Sequence, residues 1–197
     1  MVINMYLSRF KELKTIYSSN SKDVIIIDIQ LNGYRDVYSD WDYSPFQNRD
    51  LDDDFVEYLL ECSYEIGYRY KMKVVFHLPK LIKDENKEIK STTGIRHFFA
   101  YQFNRNKKNM IRVLRDTVIF FLFGSLMITI STILNNAVNI SLFSQVLIEG
   151  LYIGGWVMMW EMFSTWFFQV NKYRNKIKHF KRLQDIEYEY FYNDDEI

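Results

Sequence analysis

Two long apolar runs lie close together in the second half of the chain. Thr117–Leu134 contains eighteen residues without a charged side chain, and a second apolar stretch, Leu142–Val170, follows after seven residues. A helix over the first run would reach about 27 Å, which is close to the thickness of the hydrocarbon core of a bilayer. The pattern predicts a two-helix transmembrane hairpin over residues 117–170.

The part of the chain before these runs alternates between short apolar segments and polar segments. Residues 2–17 carry apolar side chains at helical spacing, and Val24–Leu31 is a short β-branched run that predicts a strand. Lys71–Leu78 is predicted as a second strand, which Pro79 ends. Between these two predicted strands, a helix should begin near Asp52 or Asp53, because a carboxylate there caps the helix and interacts favourably with its dipole. Strand, helix and strand in this order predict a right-handed βαβ unit with parallel strands.

These elements predict an α+β membrane protein, in which a small cytosolic βαβ domain precedes a two-helix transmembrane hairpin with long cytosolic helical extensions. The predicted parts are 1–90 for the α/β domain, 91–116 for a pre-membrane helix, 117–170 for the hairpin, and 171–197 for a basic cytosolic helix with an acidic aromatic tail.

The helical extensions follow from the lack of interruptions. No glycine or proline lies between Gly94 and Gly124, so the pre-membrane helix should continue straight into the first span. Helical structure is also expected from Asn171 to Tyr192. Because two strands and one helix bury little apolar surface, the segment 2–17, the pre-membrane helix or a neighbouring subunit should cover the sheet.

Charge is segregated along the chain, although the 25 basic and 25 acidic residues cancel. Residues 23–65 contain twelve acidic but only two basic side chains, whereas seven basic residues lie within 90–115 and six within 172–182. The segment 135–141 contains none. Since basic flanks remain in the cytoplasm, we expect both termini on the cytoplasmic side of the membrane. The basic flanks should contact lipid; a nucleic-acid role is the alternative, but no motif for sequence-specific nucleic-acid binding is present.

The sequence contains no recognisable enzymatic or metal-binding motif. The single cysteine, Cys62, excludes an internal disulfide and suits the cytosol, and charged residues near the N-terminus leave no apolar core for a signal peptide. The aspartates around the loop 32–50 could bind a divalent cation, but they lack EF-hand spacing, so a solvated turn region is favoured. These aspartates are Asp28, Asp36, Asp40, Asp42 and Asp50. The three histidines share no ligand spacing. We therefore expect no catalytic residue, no metal and no cofactor.

The second apolar run differs from the first because it contains carboxylates. If Val170 lies at the cytoplasmic end of a span of about 20 residues, Glu161 lies near the middle of the membrane and Glu149 near the outer interface. A carboxylate in mid-membrane is costly unless it is protonated, paired or facing water. Glu161 is therefore either a hydrogen-bonded or protonated packing residue, or a polar element that lines an oligomeric pore or reports a conformational change.

Small and aromatic residues precede Glu161 in the same run. Gly150 and Gly154 are four residues apart and Gly155 follows; such residues let helices approach closely, which predicts a homo-oligomer. The tryptophans should include interface anchors and residues deep enough to pack against other helices. They are Trp156, Trp160 and Trp166.

Two motifs carry a resemblance to known proteins. They are Ser44-Pro-Phe-Gln-Asn-Arg-Asp-Leu-Asp-Asp-Asp54 with Tyr58-Leu-Leu60, and Glu149-Gly-Leu-Tyr-Ile-Gly-Gly-Trp-Val-Met-Met-Trp160. Together they resemble a family of largely uncharacterised bacterial membrane proteins with a small cytosolic α/β domain and two C-terminal spans. Glu161 and Met162 stand where those proteins continue with a basic residue and proline. The architecture also resembles the two-span membrane effectors of antiphage systems, including retron-type systems, which damage the inner membrane once a partner releases them.

Three functional hypotheses follow. The first is an oligomeric inner-membrane effector, whose cytosolic domain holds it inactive or receives a trigger from a protein or nucleoprotein regulator. The second is a passive membrane anchor or assembly subunit that docks a cytosolic partner through Asp50, Asp52, Asp53 and Asp54. A membrane enzyme that uses the aspartate-rich loop comes third.

Overall fold

The computed structural model describes residues 11–19, 24–136 and 141–193. Over these residues the chain is mixed α+β, with a four-stranded sheet and long helices. The chain divides into two units, of which one comprises Met1–Phe103 with Lys178–Ile197 and the other Asn104–Ile177. The first unit is therefore assembled from two separate parts of the sequence.

The sheet belongs to the first unit and has the order β1-β2-β3-β4. Its strands are β1 (Ser18–Ser19), β2 (Val24–Gln30), β3 (Lys71–Pro79) and β4 (Glu187–Asn193). β1 pairs with β2 in antiparallel fashion, whereas β2 with β3 and β3 with β4 are parallel. The two predicted strands and their parallel pairing are thus confirmed, and β1 is an addition that the sequence patterns did not predict.

β4 corrects the expectation that helical structure continues to Tyr192. The helix ends at Asp185, and the acidic aromatic segment after it forms a strand along β3. Its residues alternate, so that Tyr188 points into the core while Glu187 stays exposed on the other face. Aromatic side chains at a period of two fit a strand with one buried face better than a helix. The sheet is consequently completed by residues that follow the apolar hairpin.

The described residues form five α-helical segments, besides one 3₁₀ turn and one π-helical turn. Residues 11–16 are helical, while the predicted positions 2–10 lie outside the described residues. The others are α1 (Asp53–Ile66), α2 (Glu85–Asn135), α3 (Leu142–Ser164) and α4 (Asn171–Asp185). A 3₁₀ turn (Lys80–Ile82) precedes α2, and a π-helical turn (Thr165–Val170) joins α3 to α4.

Two helix predictions are confirmed in detail. α1 begins where expected, with Asp52 as its N-cap, because the Asp52 carboxylate accepts hydrogen bonds from the backbone N–H groups of Asp54 and Phe55. α2 runs without interruption from Glu85 through the first apolar run, although it starts earlier than the predicted boundary at residue 91. The expectation that the pre-membrane helix continues into the first apolar run is therefore correct.

One face of the sheet is covered by helices that come from both parts of the first unit. Ile27 in β2 and Phe76 in β3 are fully buried beneath α1, α2 and α4. The helices contribute Leu13 from residues 11–16, Leu59 and Ile66 from α1, Ile95 and Phe99 from α2, and Phe180 and Leu183 from α4. The opposite face is polar: Nε2 of His77 lies 2.8 Å from Oδ1 of Asp28, and Lys73 forms an ion pair with Glu189.

Candidate functional site

The second unit presents its apolar side chains outward. Two helical stretches, Glu85–Asn135 and Leu142–Asp185, are long and apolar enough to cross a membrane. In their most apolar 18-residue windows only 17% and 6% of the residues are buried. Helices in the core of a soluble protein are mostly buried, whereas most of the apolar surface of these two helices is not buried by other parts of the described chain.

The contact between α2 and α3 depends on two glycines. A β-carbon placed on Gly155 would lie 2.6 Å from Cγ1 of Ile128 and 3.0 Å from the carbonyl oxygen of Gly124. The backbones therefore approach each other closely at this point, as small residues permit. Nearby, the Ser131 hydroxyl donates a hydrogen bond of 2.8 Å to the Ile148 carbonyl of the facing helix.

The other two predicted glycines have different surroundings. A β-carbon on Gly150 would meet no atom within 4 Å, whereas one on Gly154 would lie 2.9 Å from the flexible end of Met127. Of the three predicted positions, Gly155 is thus the one that packs against backbone within the hairpin. Its partner Gly124 was not among the predicted residues, although it is the one glycine of the first apolar run. Gly150 is exposed and open to a contact outside the chain.

Glu161 lies on the exposed side of α3, one turn before the π-helical turn. The hydroxyl of the buried Thr165 donates a hydrogen bond of 3.2 Å to Oε1 of Glu161. No other hydrogen-bonding partner reaches this carboxylate from the described residues. π-Helical turns occur often at functional positions. The sequence pointed to Glu161 but not to Thr165 or to the irregular turn.

An aromatic groove lies beside Glu161 on α3. It has a volume of about 570 Å³, and its walls include Tyr152, Trp156, Trp160 and Phe163. The three predicted tryptophans, Trp156, Trp160 and Trp166, are each more than half exposed, and Trp160 is the most exposed of them at 76%. Their exposed faces could contact lipid or a second helix, since tryptophan combines a large apolar surface with one polar N–H group.

Glu149 lies in a more polar recess towards the start of α3. The recess measures about 580 Å³ and includes Ser131 and Thr132 from α2 with Gln145 and Glu149 from α3. The Gln145 amide reaches the Glu149 carboxylate at 3.5 Å. The two carboxylates of α3 thus differ, because Glu149 has polar neighbours from both helices, whereas Glu161 is hydrogen-bonded by Thr165 alone within the part of the chain that the structure describes.

The four predicted docking aspartates do not share one role. Asp52 caps α1 with its side chain, so it is a structural residue. Asp53 and Asp54 are exposed on the first turn of α1. Asp50 belongs to a separate recess, which its side chain lines together with residues of α2. Of the four, Asp53 and Asp54 are exposed, and their side chains take no part in the cap or the recess.

A buried polar cluster joins α1 to α4 and was not predicted. Nδ1 of His179 lies 2.8 Å from the Ser63 hydroxyl, and burial, reinforced by the positive charges of Arg182 and Lys178, lowers the pKa of His179 to about 4. Arg182 donates hydrogen bonds to the carbonyls of Ser63, Gly67 and Tyr70 at the end of α1. Because Ser63 and His179 are both sealed from solvent, the pair holds the helices together and offers no accessible nucleophile.

Within the described residues, no group of three or more His, Cys, Asp or Glu side chains is arranged to hold a metal ion. The comparisons with family models, with curated proteins and with solved structures find no match to this chain.

Proposed function

We propose that the second unit lies in a bacterial inner membrane as a two-helix hairpin, with both termini in the cytoplasm. The sparse burial of the two apolar helices supports this location, because exposed apolar surface of this extent is stable in lipid and not in water. The basic residues that flank the hairpin support the orientation.

We propose further that the protein is an oligomeric effector that perturbs membrane integrity when it is released or triggered, as in antiphage defence. Glu161 carries this proposal. In a bilayer its outward carboxylate, which among the described residues accepts a hydrogen bond from Thr165 alone, would need a proton, water or a polar group from another copy. An oligomer that gathers the carboxylates of several copies around water meets this need, and the open Gly150 offers a close-packing position on the same helix.

The experiment is induced expression of the full chain in bacteria, with membrane potential followed by a voltage-sensitive dye. Overproduction should exceed the supply of any regulator and depolarise the cells. Glu161→Leu should abolish depolarisation at equal protein level in the membrane fraction, because it removes the polar group. Glu149→Gln is the matched control and should leave depolarisation unchanged, since Glu149 has polar neighbours within the hairpin. Cells that retain their potential with abundant wild-type protein in the membrane would contradict the proposal.

A second candidate function is an assembly subunit that docks a cytosolic partner through the first unit. Asp53 and Asp54 are exposed on α1, and Trp41 and Tyr43 are 98% and 94% exposed in the preceding loop. Charge reversal of Asp53 and Asp54 should then abolish copurification of the partner, while Glu161 variants behave as wild type. Asp40→Lys, at another exposed acidic position, serves as the control.

A further inference from the structure

A recess on the first unit lies between the loop 39–50 and the first part of α2. Its volume is about 410 Å³, within the range of small-molecule sites. One wall is formed by His97, Phe98 and Tyr101, which lie on one face of α2 at helical spacing. The other wall is formed by polar residues of the loop, namely Asp42, Gln47, Asn48, Arg49 and Asp50.

Gly94 allows the loop 39–50 to lie directly against α2, and it forms the floor of the recess. A β-carbon at this position would lie 2.3 Å from the carbonyl oxygen of Phe46 and 2.9 Å from the Tyr38 hydroxyl. No side chain fits there without displacing loop backbone. The position of the loop against α2 is therefore a consequence of glycine at residue 94.

Asp42 fixes the shape of the loop. Its carboxylate accepts hydrogen bonds from the backbone N–H groups of Ser44, at 2.9 Å, and Asp50, at 2.7 Å. Hydrogen bonds from Ser44, together with the N–H of Asp50, lower the pKa of Asp42 to about 2. Nε of Arg49 donates to the Asp42 carbonyl, which sets the orientation of the guanidinium. The recess is thus formed before any ligand arrives.

Several polar groups in the recess remain available. The two terminal nitrogens of Arg49, the imidazole of His97 and the carboxylate of Asp50 have no hydrogen-bonding partner among the described residues. Beside them, the ring of Tyr101 is largely exposed and that of Phe98 half-buried. A guanidinium, an aromatic face, two amides and the two carboxylates of Asp42 and Asp50 therefore line one cavity, and the Asp42 carboxylate is already occupied by the backbone N–H groups of Ser44 and Asp50.

We propose that this recess binds a nucleoside phosphate. The fork of a guanidinium matches the oxygens of a phosphate, and His97 adds a second donor. The face of Tyr101 suits a planar base, because bases stack on aromatic side chains. The carboxylate of Asp50 and the amides of Gln47 and Asn48 can hydrogen-bond to the edge of the base. Inorganic phosphate alone would leave the aromatic wall and these groups unused.

The ligand would act on the hairpin through α2. This helix is continuous from Glu85 to Asn135, so the wall of the recess and the first apolar run belong to one element. Occupation of the recess would then serve as the trigger of the effector. This regulatory step rests on the proposed function, whereas the binding step does not.

The test is calorimetric titration of the full-length protein in lipid nanodiscs with AMP, GMP, CMP and UMP. At least one nucleotide should bind saturably with one site per chain. Nucleosides and inorganic phosphate should bind at least about tenfold more weakly, because each lacks one half of the contacts. The absence of saturable binding by all four nucleotides would overturn the proposal, as would phosphate binding that the nucleoside part does not improve.

Variants locate the site. Arg49→Gln and Tyr101→Ala should each weaken binding about tenfold or more. Arg35→Gln removes an exposed arginine that does not line the recess and should leave affinity unchanged. If Arg49→Gln disturbs the loop, His97→Gln tests the recess from the opposite wall, on the exposed side of α2. A nucleotide affinity that does not change on substitution of His97 and Tyr101 would overturn the assignment. If the wild-type protein binds a nucleotide but does not depolarise cells, the effector proposal is contradicted and the nucleotide-binding proposal stands.

Discussion

The two units use the same apolar residue types in opposite ways. In the first unit, isoleucine, phenylalanine and tyrosine from distant parts of the sequence form one core, and polar groups line the open sheet face. In the second unit, the buried apolar side chains among the described residues are Ile148 and Met162, while phenylalanine and tryptophan point outward. The first unit is therefore stabilised by burial within the chain, and the second depends on what surrounds it.

The largest contrast should come from removing one aromatic ring in each unit. Phe76→Ala deletes a side chain with no exposed surface, between α1 and β4, and should lower the free energy of unfolding of the first unit by about 3–5 kcal/mol. Phe167→Ala removes a ring that is 69% exposed and should leave that unit unchanged. Chemical denaturation of the full chain in detergent, monitored by hydrogen exchange of the sheet amides, measures the free energy of unfolding of the first unit in both variants. Equal effects of the two substitutions would remove the distinction between the units.

The stability of the first unit should depend on pH through the protonation of His179. Its pKa is about 4 in the folded chain and about 6.5 when unfolded, so between these values the unfolded state binds a proton that the folded state does not. The stability that neutral His179 contributes is present above pH 6.5 and is lost as the pH falls towards 4, by about 2–3 kcal/mol.

The measurement is the thermal midpoint of the first unit at pH 7 and at pH 4.5. His179→Gln should flatten this dependence, whereas His97→Gln, at an exposed position, should keep the wild-type slope. An unchanged slope in His179→Gln would show that other groups cause the loss of stability in acid.

The smallest effect is expected from glycines of the second unit. Gly155→Leu would force α2 and α3 apart and should destabilise their contact by about 1–3 kcal/mol. Gly150→Leu enters open space and should leave the hairpin intact. Hydrogen exchange of the α2 and α3 amides in nanodiscs distinguishes the two variants. A hairpin that tolerates Gly155→Leu as well as Gly150→Leu would contradict the close approach at Gly124.

Local patterns predicted the elements that local chemistry determines. The apolar runs of β2 and β3, the cap at Asp52 and the continuity of α2 depend on neighbouring residues, and all were predicted correctly. β4 was missed because its pairing with β3 joins positions more than 100 residues apart. Only the alternation of its tyrosines indicated a strand, and the basic helix before it favoured the wrong extension.

The sites show the same division. Glu161 and Gly155 could be identified from the residue types of their own apolar run. Thr165 and Gly124 could be identified only from the structure, through the contacts they make with Glu161 and Gly155. The recess at Gly94 was not predictable, because it arises from a loop folded onto a helix that begins about 40 residues later in the chain. Sequence patterns identify the apolar and polar faces of a helix or strand, but they do not show which of these faces pack against each other in the fold.

The placement of β4 after the hairpin determines the order in which the protein can be made. A ribosome synthesises both apolar helices before it reaches residues 187–193, so β4, Arg182 and His179 join the first unit last. During synthesis the hairpin is thus free to enter a bilayer before the first unit can close. A chain interrupted within the hairpin would lack the edge strand and the helix that completes the core, and would present an unfinished sheet to cellular proteases.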